Sequence, residues 1–121
     1  MKTYTRDKQV ITFNIGTPPK PHRFDIVIDD RTVVIECKCI TWTETGNVPS
    51  GKIKSINEAV FFLSFVTDAD TYVVIKKSES AHRKQNESLA DYYFRINQHL
   101  LRRTKILEYD DVNDVMRKIG W

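Results

Sequence analysis

Apolar positions along the chain follow two rhythms, a period of two in the first third and a period of three to four further on. In residues 9–15, Val10, Thr12 and Asn14 alternate with Ile11, Phe13 and Ile15, many of them β-branched, so a strand is expected there, closed by Gly16. The stretch TPPKP then makes an irregular connection. Residues 22–28 (HRFDIVI) and 31–41 (RTVVIECKCIT) are two β-rich runs joined by Asp29-Asp30, which predicts a hairpin with a tight turn. The second run is apolar on both faces around Val33, Val34, Ile35, Cys37 and Ile40, as suits a central strand covered on both sides.

The rhythm changes after the polar loop TWTETGNVPSG. Ile53, Ile56, Val60 and Leu63 recur at spacings of three and four and predict a helix over 51–66, with Ser50 as its N-cap. The second half of that helix, VFFLSFV, is apolar nearly all round and is expected to be sandwiched in the core. TYVVIKK at 71–77 predicts a further buried strand. Leu89, Tyr93, Ile96 and Leu100 trace a second helical stripe, with Ser88 and Asp91 at capping-box-like spacing and Arg102 and Arg103 where the helix dipole favours cations. Residues 106–109 suit a short last strand, and 111–119 (DVNDVMRKI), stopped by Gly120, a small terminal helix. The order of elements implies an α/β domain with a mixed sheet and helices on both faces.

Composition narrows the class. With 121 residues, 40% of them apolar, the chain fits one domain, 1–121, able to bury a core unaided. No apolar run is long enough to cross a bilayer and the opening MKTYTRDKQV lacks a signal-like stretch, so a cytoplasmic protein with no membrane partner is expected. Cys37 and Cys39, without other cysteines, are weak evidence for zinc and read as small, semi-buried residues of a reducing compartment.

The net charge of +3 is unevenly spread. Residues 76–105 hold eight basic side chains against three acidic ones, whereas 21–50 hold three basic against five acidic. An acidic spot flanked by basic segments suits a cation site beside the path of a polyanion, although such runs also serve as solvated faces.

The chemistry concentrates on Asp25, Glu36 and Lys38. A two-residue turn places Asp25 opposite Val34, on the same face as Glu36 and Lys38; a four-residue loop places it directly opposite Glu36. Three ionisable groups on so apolar a hairpin are costly unless compensated, and two adjacent carboxylates are relieved by a hard divalent cation such as Mg²⁺. Lys38 beside that cation would handle an attacking water or offset phosphate charge. The ordinary alternative is a cross-strand ion pair on a solvated face.

The stretch PHRFDIVIDDRTVVIECKCI, with the order of elements around it, resembles the PD-(D/E)xK nuclease superfamily, a group that includes restriction endonucleases, junction resolvases and repair nucleases. The resemblance implies a restriction endonuclease-like mixed β-sheet flanked by helices on both faces. It implies Asp25 and Glu36 as metal ligands, the backbone carbonyl of Cys37 completing the coordination, Lys38 as catalytic lysine, and Mg²⁺ as cofactor with Mn²⁺ as substitute. The activity implied is hydrolysis of DNA phosphodiester bonds leaving a 5′-phosphate. Phe24 stands where the family commonly has proline, and the usual N-terminal helix is short or absent, so a partner subunit in a homodimer is one source of that element. A second reading is a nuclease-fold module that binds nucleic acid or serves as an assembly subunit without cutting.

Several residues are candidates for supporting roles. Lys52 and Lys54, in a first helical turn where the dipole disfavours cations, either meet a phosphate or solubilise the surface. The resemblance further implies a polar side chain of this helix near the metal, for which Lys54 and Asn57 are the candidates. Trp42 either stacks on a base or closes the edge of the core. Arg83 and Lys84 in the loop SESAHRKQNE are candidate phosphate contacts, Glu44 a candidate extra ligand, and His22 a candidate support for Asp25.

Overall fold

The computed structural model describes residues 4–5, 11–43, 45, 47–78 and 87–121. Glu44, Arg83, Lys84 and most of the region expected to hold a short or absent N-terminal helix lie outside the described residues.

The chain opens with β1 (Tyr4–Thr5), then β2 (Thr12–Ile15) and β3 (Lys20–Arg23), which form a small two-stranded antiparallel sheet of their own. It continues with β4 (Ile26–Ile28), β5 (Val33–Lys38), α1 (Ser50–Leu63), β6 (Asp70–Lys76) and α2 (Leu89–Asn97), which runs into a 3₁₀ turn at Gln98–Leu100. The last elements are β7 (Lys105–Asp110) and β8 (Val115–Ile119). A six-stranded mixed sheet has the order β1-β4-β5-β6-β7-β8, with β5, β6 and β7 parallel and the other neighbours antiparallel.

The run read as one strand over 22–28 is two, because the backbone turns a corner at Phe24 and Asp25. Phe24 is buried, its N–H donates to the Ile11 carbonyl at 2.8 Å, and its ring meets Phe13 and His22 edge-on. That apolar anchor lets residues before it pair with β2 while residues after it pair with β5. The β4–β5 connection spans four residues, Asp29 to Thr32, with Asp29, Asp30 and Arg31 at positive φ and Thr32 closing the turn onto the Asp29 carbonyl.

Both helices lie on the same face of the sheet, not on opposite faces as expected. Strands β5, β6 and β7 advance in one direction across the sheet, so two crossovers of the usual right-handed sense must put their helices on one side. Placing them on opposite sides would require the strand order to reverse. Burial agrees with this arrangement. Val34, Thr71, Val73, Ile75, Ile106, Glu108 and Ile119 are buried beneath Ile56, Val60 and Leu63 of α1 and Leu89 and Tyr93 of α2, while Val33, Ile35, Tyr72, Val74, Leu107 and Tyr109 of the other face are half-buried. Each fully buried aliphatic side chain in this layer contributes about 1.5–3 kcal/mol.

Helix α1 departs from expectation in three ways. Ser50 is its first helical residue, Pro49 stands at the cap, and no side chain caps it. The helix ends at Leu63 rather than at residue 66. Its apolar second half is not sandwiched: Val60 and Leu63 face the sheet, but Phe61 and Phe65 point outward, 60% and 41% exposed. In α2, Ser88 caps as expected, its Oγ accepting from the Asp91 N–H at 3.1 Å, yet the buried side is Leu89, Ala90, Tyr93 and Asn97, with Ile96 and Leu100 exposed.

The expected terminal helix over 111–119 is instead a turn and the edge strand β8. Asp110 accepts from the backbone N–H of Val112 and Asn113 and from the Asn113 amide, and Asp114 sits at φ 52°. Short polar side chains that bind nearby backbone compete with a helix, and the free edge of β7 offers VMRKI a ladder of hydrogen bonds. Among the described residues, no helix is long and apolar enough to cross a membrane.

Candidate functional site

The corner at Phe24 determines where Asp25 goes. The β4–β5 register pairs Ile26 with Ile35 and Val27 with Val34, as a four-residue loop requires, and Asp25 stands just before the first paired residue, beside the Glu36–Cys37 segment to which it is hydrogen-bonded. Because Asp25 precedes the ladder, its backbone groups are free for side-chain partners. Its N–H donates to Glu36 Oε1 at 2.8 Å, and its own Oδ2 accepts from the Cys37 N–H at 2.9 Å. The two acids therefore grip each other's strand reciprocally. Lys38, two residues beyond Glu36, shares its face by strand alternation.

The environment grades across this ledge. Asp25 is exposed, whereas Glu36 and Lys38 are half-buried. Burial pushes the Glu36 carboxyl up to about 6; the nearby Asp25 charge adds to the rise, while the Asp25 N–H and Lys38 oppose it. Among the described residues no ion pair joins Lys38 to Asp25 or Glu36, so the ordinary cross-strand pair is not what holds the three together.

The chemistry of the donor set fits a hard cation. Each carboxylate engages a backbone N–H through one oxygen, and the other oxygen of each is a hard donor of the kind such a cation takes. Among the described residues no group of three or more His, Cys, Asp or Glu side chains is placed to hold a metal ion. Coordination by this ledge would thus draw on backbone carbonyl oxygen, as expected of Cys37, and on water.

The supporting candidates fare unevenly. His22 is half-buried, stacked on Phe62 with ring centroids 4.1 Å apart; burial lowers its pKa, with Glu58 and Asp25 pulling the other way. Its tie to Asp25 is through charge, and no hydrogen bond joins them. Asn57 is turned to other work, its Oδ1 accepting from the Tyr93 hydroxyl at 2.7 Å and bridging the two helices. Lys52 and Lys54 are exposed in the first turn of α1. Trp42 has no face open to a base: it is 7% exposed, its Nε1 donates to the Ser78 carbonyl at 3.0 Å, and its ring abuts Tyr92 edge-on. Cys37 and Cys39, expected to be semi-buried, are exposed.

A second acid on the helix-covered face escaped the sequence reading. Glu108 is buried at 2%, accepts from Arg117 Nε at 3.0 Å, and leaves Oε2 without a partner. The registers place Lys38, Ile75, Glu108 and Arg117 in one cross-strand row. Only the alternation of Ile106, Glu108 and Asp110 in β7 hinted that this acid points inward. Compared with known proteins, the chain matches no family model, no curated protein and no solved structure.

Proposed function

We propose that this chain is a metal-dependent nuclease that hydrolyses phosphodiester bonds of DNA at the Asp25–Glu36–Lys38 ledge. The observation that supports it most is the reciprocal engagement of Asp25 and Glu36 with each other's strand through one carboxylate oxygen apiece, with Lys38 two residues beyond Glu36 and, among the described residues, in no ion pair. A carboxyl pushed up to about 6 by burial and a like charge has most to gain from a bound cation.

Asp25, Glu36 and the Cys37 carbonyl would hold Mg²⁺ or Mn²⁺, which when bound supplies Lewis acidity toward a phosphoryl oxygen and lowers the pKa of water. The residues of the chain contribute position and charge. Asp25 and Glu36 are fixed by each other's backbone, so their free oxygens are pre-set rather than gathered on binding. Lys38, half-buried and two residues beyond Glu36 on the same strand, would either orient and deprotonate the attacking water or offset negative charge on the phosphate as it is displaced. Exposed Asp25 leaves the ledge open to a strand of nucleic acid.

A second reading is a module that binds nucleic acid without cutting. It draws on the engagement of each carboxylate by a backbone N–H and on the two-carboxylate donor set. A cleavage panel separates the two. Linear, branched and single-stranded DNA are incubated with Mg²⁺, Mn²⁺ or chelator, with Lys38→Ala as control. Metal-dependent cutting that Lys38→Ala loses while remaining folded is the expected result; binding with a steep salt dependence and no product on any substrate would leave only the module.

A further inference from the structure

At the end of the sheet where the parallel strands begin lies a concavity of about 370 Å³, walled by Ser64, Thr67, Thr71, Thr104, Arg102 and Arg103. Leu63 completes the lining. Of its polar residues two are arginines and four carry hydroxyls, the Ser64 Oγ already donating to the Phe61 carbonyl, and among the described residues no carboxylate lines it.

Three features point to a ligand. First, Thr71 and Thr104, brought together from 33 residues apart, are buried with hydroxyl oxygens 2.8 Å from each other. The pair carries two O–H protons and needs only one between them, so the second remains to donate toward the cavity that both line. Second, Arg103 is oriented by its Nη2 donating to the Val66 carbonyl at 2.9 Å, and among the described residues its other N–H groups have no hydrogen-bond partner. Asp68 and Asp70 border an adjoining hollow with Arg103, but among the described residues neither pairs with it.

Third, Arg102 sits at φ 54°, in the left-handed region, just after the 3₁₀ turn. Glycine is the usual occupant of such a helix-end position, because a side chain there is strained. Arg102 is exposed, lines this cavity and the one beside it, and among the described residues pairs with no acid. Strain of this kind persists where the side chain is used.

We propose that this cavity binds a tetrahedral oxyanion of the phosphate type, with Arg102 and Arg103 giving charge-assisted N–H donors and the Thr71–Thr104 pair an O–H donor. A phosphate dianion presents acceptors on every side and the wall presents donors, and the planar fork of arginine matches two of its oxygens at once. The site is separate from the Asp25–Glu36 ledge and stands whether or not that ledge cuts DNA.

The test is calorimetric titration of the full chain with inorganic phosphate at constant ionic strength, chloride serving as reference, alongside melting temperature. Phosphate is expected to bind saturably and chloride not. Arg102→Gly is expected to weaken phosphate binding at least about tenfold while raising Tm in phosphate-free buffer, since glycine is unstrained at that φ. Arg103→Lys, which keeps charge but loses the fork, is expected to weaken binding less. A 5′-mononucleotide that binds tighter than the free ion marks the phosphate as the anchor of a larger ligand; equal affinity marks the ion itself, and either supports the site provided Arg102→Gly reduces it. No saturable response to phosphate, or undiminished binding in Arg102→Gly, overturns it.

Discussion

Two clusters of acid and base share the helix-covered face of the sheet, and they are built on opposite principles. Around β7 and β8, Glu108 and Asp91 both receive N–H groups of Arg117, at 2.9 Å each, and the Ser88 hydroxyl donates to Asp91 at 3.0 Å. Around β4 and β5, Asp25 and Glu36 each accept a backbone N–H from the other's segment, and among the described residues Lys38 is in no ion pair. In the first cluster the acids are tied to one guanidinium within the fold, though Glu108 Oε2 has no partner; in the second, among the described residues, no ion pair joins the acids to the amine. The same residue types thus serve cohesion in one place and remain available for a ligand in another, and pairing is what distinguishes them.

The sharpest contrast is in activity. Lys38→Ala should reduce metal-dependent cleavage by about 10²–10⁴-fold, read from product formation on the most rapidly cut DNA, with a melting temperature close to that of the natural chain. Arg117→Ala should do the reverse. It strands the buried Glu108 carboxylate, and because the guanidinium is half exposed the cost should be about 2–3 kcal/mol, below the 3–5 of a fully buried pair, by urea denaturation. A larger effect of Arg117→Ala on cutting than on stability would erase the distinction between the clusters.

The two regions also titrate with opposite sign. Glu36 in the folded chain holds its proton up to about 6, above its ordinary value of 4.5, so stability is greatest below that ordinary value and falls as pH rises through about 6. Allowing for solvent screening, the fall in chelator should be about 1 kcal/mol, and Glu36→Gln should abolish it. For Asp91, burial alone would raise the pKa, but the Arg117 guanidinium and Ser88 more than offset it and hold the carboxyl below its usual range. Its contribution is therefore present above the unfolded value and lost as pH falls through the folded one. Asp91→Asn should flatten the acid limb of a stability–pH curve while leaving the limb near pH 6 untouched; a flattened limb near pH 6 would show the clusters to be coupled.

Much of this was legible along the chain, and the failures have identifiable causes. Strands β5 and β6 follow from short β-branched apolar runs, and the cap of α2 from Ser88 with Asp91, because those signals act between near neighbours. Residues 111–119 misled, since Val112, Val115, Met116 and Ile119 recur at helical spacing while Asp110 and Asp114 turn the backbone elsewhere. Phe61 and Phe65 read as core from hydrophobicity alone, yet a helix on one face of a sheet buries one side only. Trp42 could be read two ways in sequence, and the Ser78 contacts that decide its place come from 36 residues away.

By itself, the sequence singled out Asp25, Glu36 and Lys38 as candidates, because a hairpin loop of two or four residues puts them on one face, whereas an odd-numbered loop or a bulge would send Asp25 to the other. It also carried the alternation of strands and helices. Tertiary structure alone decided the rest: that the loop has four residues and Asp25 exchanges hydrogen bonds with the Glu36–Cys37 segment, that both helices cover one face, and that Thr71, Thr104, Arg102 and Arg103 wall one cavity. Local patterns specify which way a side chain points within its own element. Which elements become neighbours depends on how the whole apolar surface is buried at once, and no single segment encodes that.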